Sequence, residues 1–193
     1  MEIVTLEKRV FVGNSHKFSP GSDRIYRFNQ CRFLDARQMS FGAAASFAFC
    51  EFEGDFEHCD FGEASFRDCR FTGQYTDCTW VDATISRTTL CYVRMKNSKM
   101  WGLHFAGCHI SQCVFEDCEA SWMHFENCCL MKVKWQGCDL KGCGISRTRM
   151  TEVQVKESNI ENFDVAYSDG IDVNIMDEEA TTFGSTNLWR YTR

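Results

Sequence analysis

The sequence predicts an all-β solenoid in which a four-sided coil is repeated along one axis. Three observations support this prediction: the spacing of large apolar residues, the type of residue two positions before each of them, and the places where the spacing changes. From residue 80 onward, an apolar residue, in most cases a large one, recurs at every fifth position. These central residues are Trp80, Ile85, Leu90, Met95, Met100, Phe105, Ile110, Phe115, Ala120, Phe125, Leu130, Trp135, Leu140, Ile145, Met150, Val155, Ile160 and Val165.

A period of five residues matches neither an α-helix, which repeats about every 3.6 residues, nor a strand, which alternates about every two. It instead fits a coil with four equal sides, in which each side directs one large side chain into the interior. Side chains twenty residues apart in the sequence then stack at one strand spacing, about 4.8 Å. We number the sides by their central residues: side one contains Leu90, side two Met95, side three Met100 and side four Phe105.

The residue two before each centre supports this four-fold stacking. On sides one and three it is Cys, Ser or Thr: Cys50, Cys69, Thr88, Cys108, Cys128, Thr148, Ser168, and Cys59, Cys78, Ser98, Cys118, Cys138, Ser158. On sides two and four it is mainly aliphatic, glycine or larger: Gly54, Gly73, Val93, Cys113, Val133, Val153, Val173, and Ala64, Ala83, Leu103, Met123, Cys143, Phe163. Four-residue steps from Phe52 to Phe56 and from Phe71 to Tyr75 keep these columns aligned, so we interpret them as corrections of the register.

The repeated unit resembles the small–polar–large–x–x motif of the pentapeptide-repeat family, as in CDFGE, ASFRD, CVFED, CDLKG and SNIEN, over residues 31–180. The resemblance implies a right-handed quadrilateral β-helix. The length of the repeat region corresponds to about 7 coils. Caps are expected at both ends, because terminal coils expose backbone donors and apolar centres. Residues 1–30 are the predicted N-terminal cap, in which EIVTL and RVFV could form a strand pair, and residues 181–193 are the predicted C-terminal cap.

Composition argues against several functional classes. The net charge of −6 argues against a general nucleic-acid binder and gives no support for docking on an anionic membrane. No stretch approaches the roughly 20 apolar residues of a membrane span, and MEIVTLEKRVFVG lacks the apolar run of a signal peptide. The 13 cysteines, an odd number, therefore indicate free thiols in a reducing cytoplasm rather than a disulfide framework.

The cysteines are also the first candidates for a metal site. The segment CHISQC around His109 suggests zinc, but Cys108 and Cys113 lie on adjacent sides with both thiols predicted inward, whereas zinc needs converging ligands. Eleven of the 13 cysteines stand two before a centre, so we interpret them as packing residues and expect no metal or other cofactor. Cys91 and Cys129 depart from this rule and are predicted to be the most exposed.

The remaining motifs give no support for an enzyme. His104 and His124 are predicted to stack on side four, and a straight solenoid offers them no cleft that could hold a catalytic partner. The sequence contains no phosphate-binding glycine loop, no HExxH and no GxSxG.

Two surface features are candidates for binding a partner. The first is an acidic edge between sides two and three, predicted to contain Asp77, Asp117, Glu119, Asp139, Glu157 and Asp177, opposite an arginine-rich edge between sides four and one. This acidic edge is either an ordinary solvated surface or a stripe that steers docking to a basic groove. The second feature is Trp101 and Trp122, which we expect to be partly exposed and close together, although Trp122 could instead fold over the small centre Ala120.

The chain also resembles the immunity-type members of the family that act against quinolones, albicidin and microcin B17, of which the latter two share its richness in Cys-x-Phe units. That resemblance implies a non-enzymatic, DNA-mimicking rod that engages a type II topoisomerase, DNA gyrase or topoisomerase IV, and so confers antibiotic or toxin resistance. The alternative is a scaffold or secreted bacterial effector that docks another protein, in which Trp101 and Trp122 matter more. TTFGSTNLWRYTR lacks the leucine-rich character of a dimerising helix, so the oligomeric state stays open.

Overall fold

The computed structural model describes residues 2–13, 18, 24–42 and 44–175, and every regular element in these ranges is a β-strand. Parallel strands stack into two long sheets. The nine-stranded sheet forms side four and contains β1 (Glu2–Glu7), β3 (Arg24–Asn29), β5 (Ser46–Ala48), β7 (Ser65–Arg67), β9 (Thr84–Ser86), β11 (His104–Ala106), β14 (His124–Glu126), β17 (Gly144–Ser146) and β20 (Asp164–Ala166).

The twelve-stranded sheet forms sides one and two. Its strands on side one are β2 (Val10–Val12), β4 (Arg32–Arg37), β6 (Glu51–Glu57), β8 (Arg70–Thr76), β10 (Thr89–Lys96), β12 (His109–Ser111), β15 (Cys129–Met131), β18 (Arg149–Thr151) and β21 (Asp169–Ile171), of which β4, β6, β8 and β10 continue onto side two. Side two is completed by β13 (Val114–Glu116), β16 (Lys134–Gln136) and β19 (Gln154–Lys156). Side three is held by single parallel bridges from Ser40 to Asn159. The predicted quadrilateral β-helix is therefore confirmed.

The solenoid has about eight turns rather than the predicted seven. The difference arises at the N-terminal end, where β1 pairs with β3, and β2 pairs with β4, so that the first residues already lie in the two sheets. The expected pairing of EIVTL with RVFV is wrong, since β1 and β2 belong to different sheets. Phe11 and Phe18 are buried and join the aromatic core. The predicted C-terminal cap lies outside the described residues.

The register corrections occur where the sequence places them. Phe52 pairs with Phe71, and Phe56 pairs with Tyr75, so the two coils with a four-residue step align with each other. The pairing shifts where β4 meets β6 and where β8 meets β10. At the shortened corner Gly54 and Gly73 have φ values of +108° and +100°, and a Cβ on Gly73 would collide with the Gly54 carbonyl oxygen. Only glycine fits this conformation without strain.

The core consists of stacked central side chains. Phe28, Phe47 and Phe66 form a column with ring centroids 4.7 Å apart and nearly parallel planes, which reproduces the strand spacing. A second column contains Phe33, Phe52 and Phe71, with centroids 4.7 and 4.6 Å apart. Identical rings stacked in register explain why the N-terminal half uses phenylalanine so often.

The Cys, Ser and Thr residues on sides one and three form ladders of buried hydrogen bonds. The Thr148 hydroxyl accepts the Cys128 backbone N–H at 3.1 Å and donates to the Ser146 carbonyl at 2.9 Å. Ser98 makes the same pair of bonds with Cys78 and Lys96, at 3.2 and 3.0 Å. Each small polar side chain therefore satisfies a backbone donor of the preceding coil and a carbonyl of its own. The segregation of residue types by side has this physical cause.

Replacing Phe105 by alanine should remove a fully buried ring that stacks 4.8 Å from Phe125. We expect the free energy of unfolding to fall by about 3–5 kcal/mol, because a large core side chain leaves a cavity. Chemical denaturation would measure this loss. The outward Thr84→Ala should change stability little, and equal losses in the two variants would contradict the inward assignment of Phe105.

Replacing Thr148 by valine should cost about 1–3 kcal/mol of stability, because the Cys128 N–H is then buried without an acceptor. Thr148→Ser keeps the hydroxyl and serves as the matched control. Urea unfolding of both variants separates the contribution of the hydroxyl group to stability from that of the methyl group. If serine destabilises as much as valine, the packing of the methyl group, not the hydrogen bond, determines the residue at this position.

Candidate interaction surfaces

Most of the cysteines are inward packing residues. Eleven are buried, and Cys91 and Cys129 are half-buried, which confirms that these two are the most exposed. Buried thiols donate to carbonyls, as Cys113 does to Ser111 at 3.2 Å, so they act as weak hydrogen-bond donors as well as small apolar fillers. Burial raises the pKa of the Cys113 and Cys143 thiols to about 12, so both stay protonated near neutral pH.

The geometry of these thiols does not resemble a metal site. Zinc ligands are thiolates that converge on one point, whereas Cys108 and Cys113 are buried on adjacent sides and His109 faces solvent. Within the described ranges, no group of three or more His, Cys, Asp or Glu side chains is placed to hold a metal ion. That the protein binds no metal stays a prediction.

His104 and His124 are neighbours in register on β11 and β14, as predicted. His104 Nε2 lies 4.0 Å from Glu126 Oε2, and Glu126 also accepts a hydrogen bond from Arg147 at 3.0 Å. These groups lie on an open sheet face, where water competes for every contact. They have the arrangement of a surface charge network.

The acidic edge consists of two neighbouring outward columns. Asp77, Asp117 and Glu157 follow side two at equivalent corner positions with φ values of 51–53°, on every second coil. Glu119 and Asp139 lie in the adjacent column, where they are bridge partners. Asp177 lies outside the described residues. The structure thus places the described members along one edge.

The members of this edge differ in their availability to a partner. Asp139 accepts hydrogen bonds from the Ser121 hydroxyl at 2.7 Å and the Asn159 amide at 2.9 Å. Asp117 and Glu119 are exposed and make no ion pair or side-chain hydrogen bond with any residue that the structure describes. These two carboxylates are the ones free to meet an external cation.

The other two described carboxylates have weak partners. Asp77 lies 3.9 Å from the His58 ring, and Glu157 accepts a hydrogen bond from Gln136 at 3.2 Å. Lys99, the bridge neighbour of Glu119, separates Asp77 from the remaining carboxylates. The uninterrupted acidic stretch therefore runs only from Asp117 to Glu157.

The opposite, arginine-rich edge is partly neutralised by its own acids. Arg87 makes a bidentate pair with Asp68 at 2.9 and 2.7 Å. Arg147 pairs with Glu126 at 3.0 Å. The electrostatic field of this edge is therefore weaker than the number of its arginines indicates.

The two tryptophans lie exposed on the surface of the coil. Trp101 has 55% and Trp122 has 57% of its surface accessible, and no ring contact between them occurs in the described part of the chain. Trp122 leans over the next coil, where a Cβ on Gly142 would lie 2.7 Å from its Cε3 atom. Glycine at position 142 therefore makes room for the indole. The signal was present in the sequence, since Gly142 follows Trp122 by one full coil.

The described residues contain no helix with the length and apolar character that crossing a bilayer requires.

Comparison with known proteins identifies the repeat. Residues 92–165 match the family model for a pentapeptide repeat region. Similar solved structures include a trypsin-treated variant of QnrB1, described as a plasmid-mediated fluoroquinolone resistance protein, at 11% identity over 88% of this chain and 92% of that chain, with a TM-score of 0.40. HetL from the cyanobacterium Nostoc sp. strain PCC 7120, described as involved in regulating heterocyst differentiation, is 10% identical over 86% and 84%, with a TM-score of 0.35. No curated protein sequence matches the chain significantly.

Proposed function

Because residues 92–165 match a pentapeptide repeat region and the same coil continues on both sides of it, we propose that this pentapeptide-repeat protein is a non-enzymatic interaction rod. Its docking face is the acidic edge, and its partner presents a basic groove. The observation that carries the proposal is the pair of exposed carboxylates, Asp117 and Glu119, which lack a partner among the described residues. Carboxylates held on a rigid surface attract a basic partner over a distance and increase the rate of association.

A type II topoisomerase is the proposed partner, in line with the resemblance of the repeats to immunity-type proteins. Such an enzyme has a groove that binds duplex DNA, and a straight acidic rod can occupy it. Asp117 and Glu157 lie two coils apart, about 10 Å along the axis, whereas one DNA strand carries a phosphate about every 3.4 Å. The edge therefore imitates a sparsely charged strand, so we expect binding that weakens with salt, but less steeply than the binding of duplex DNA does. This partner places the protein in the cytoplasm.

A gyrase supercoiling assay tests the partner directly. The purified protein should reduce inhibition by a gyrase poison at concentrations where it leaves supercoiling itself largely intact. Absence of any effect on supercoiling or on poisoning, with gyrase and with topoisomerase IV, would refute a topoisomerase partner. The acidic edge would then bind a basic partner other than a type II topoisomerase.

Reversing both free carboxylates, by Asp117→Lys with Glu119→Lys, should slow association with gyrase by about tenfold, because long-range attraction becomes repulsion. The wild-type rate should fall as salt rises, since screening shortens to about 8 Å near physiological ionic strength. Stopped-flow association kinetics would measure both effects. Melting temperatures should stay close to wild type, since both positions point to solvent.

The matched control reverses charge on the opposite edge, by Arg67→Glu with Arg70→Glu. This variant should associate at close to the wild-type rate. If the arginine variant loses binding and the carboxylate variant keeps it, the docking face is the arginine-rich edge and the DNA-mimic proposal fails.

The second candidate function is a scaffold that docks a partner through the exposed Trp101 and Trp122. Exposed aromatic residues are enriched at protein interfaces. If the acidic edge is the docking face, Trp101→Ala with Trp122→Ala should leave protection of gyrase unchanged in the supercoiling assay. If the double tryptophan variant loses protection while Tyr92→Ala on another corner keeps it, the tryptophan surface is the docking face.

A further inference from the structure

A shallow depression of about 520 Å³ lies at the corner between sides four and one, on the opposite edge from Asp117 and Glu119. It forms because the corner column changes size from coil to coil: Gly107 and the short Asn127 stand between Arg87 and Arg147. A Cβ on Gly107 would meet, within 4 Å, only the Cγ of Arg87 at 3.8 Å. The neighbouring side chains therefore do not require glycine at position 107. Together with the short Asn127, the missing side chain of Gly107 leaves a gap that is two coils long.

Two arginines line the C-terminal end of this gap, Arg147 and Arg149. Arg87 stands on its N-terminal side and Arg147 on its C-terminal side, and each is oriented by an acidic neighbour, Asp68 or Glu126. An arginine held by one carboxylate still has N–H donors directed elsewhere. The Arg147 guanidinium is therefore positioned beside the gap, whereas the Arg87 guanidinium is directed toward Asp68, one coil further from it.

Arg149 provides a second positive charge at the C-terminal end of the gap. It is exposed, lines the depression and makes no ion pair or side-chain hydrogen bond with any residue in the described ranges. Asp169, its register neighbour on β21, lines the same depression one coil further from Gly107. His109, on the coil of Gly107, lines the same depression. An anion in the gap therefore meets Arg149 and His109 before it meets Asp169.

We propose that this gap binds a phosphate monoester group, with Arg149 as its main contact. Arginine binds phosphate through paired N–H donors in a planar fork, and this geometry suits phosphate better than a single ammonium does. The volume lies within the roughly 300–1,000 Å³ range of small-ligand sites. Tyr167 lines the same depression with 90% of its surface accessible, so its ring is available to a planar group on the same ligand.

Titrations followed by ¹H–¹⁵N spectra of the full chain test the site with inorganic phosphate, AMP and adenosine. Phosphate and AMP should shift the amide signals of Gly107 and Asn127, and adenosine should not. Arg149→Ala should weaken AMP binding by about tenfold, since a hydrogen bond to a charged group is lost. Arg70→Ala is the control, because Arg70 occupies the same outward column on a distant coil, outside the depression.

A second variant tests the gap itself. Gly107→Gln should fill it and abolish binding while the protein stays folded, because Gln30 occupies an equivalent corner with a φ of +54°. Tighter binding of AMP than phosphate, lost in Tyr167→Ala, identifies a ligand with a planar group, and equal binding identifies the phosphate alone as the recognised part. No shift with either anion, or shifts unchanged by Arg149→Ala, would refute the site.

Discussion

The coil depends on how its corners satisfy backbone N–H groups that are turned away from the strand ladders. At the corner between sides three and four, a turn provides the acceptor, as in the bond from the Ala83 N–H to the Trp80 carbonyl at 3.1 Å. At the corners that lead into sides one and three, the acceptor is a side chain of the next coil, such as Thr148 for Cys128. An unpaired buried donor is costly, so each coil needs its neighbour in register and the twenty-residue repeat cannot drift.

This constraint determines where binding can occur. Within the described coils, the interior is occupied by stacked rings and small polar side chains, as in the column of Phe28 and Phe47. The outward positions are free of such demands, and they form columns with one side chain per coil. A partner therefore meets rows of groups at about 4.8 Å intervals on a rigid support. Recognition by such a surface depends on charge and on gaps in the rows, such as Gly107.

The fold could be predicted from the sequence because the inward positions have so few acceptable residues. The five-residue period identifies the centres, and the Cys, Ser and Thr columns mark the positions whose side chains accept hydrogen bonds from the backbone N–H groups at the corners. The N-terminal coil was missed because the five-residue period, which Leu6 and Phe11 still follow, is interrupted between Phe11 and Phe18. The acidic edge could be located by stacking. The internal bonds of Asp139 could not, because they depend on how Ser121 and Asn159 orient their side chains.

The same reasoning explains why a few residues are more informative than the overall charge. Half of the lysine and arginine side chains in the described ranges form an ion pair, mostly with an acid one coil away, as Arg147 does with Glu126, so the stacking that builds the coil also neutralises part of its surface. Groups that escape this pairing are those whose stacked neighbours are small, uncharged or out of reach. Asp117 and Glu119 on one edge, and Arg149 on the other, meet this condition among the described residues. Because these groups face in opposite directions on a rigid rod, an anion bound beside Arg149 leaves the acidic edge accessible to a basic partner.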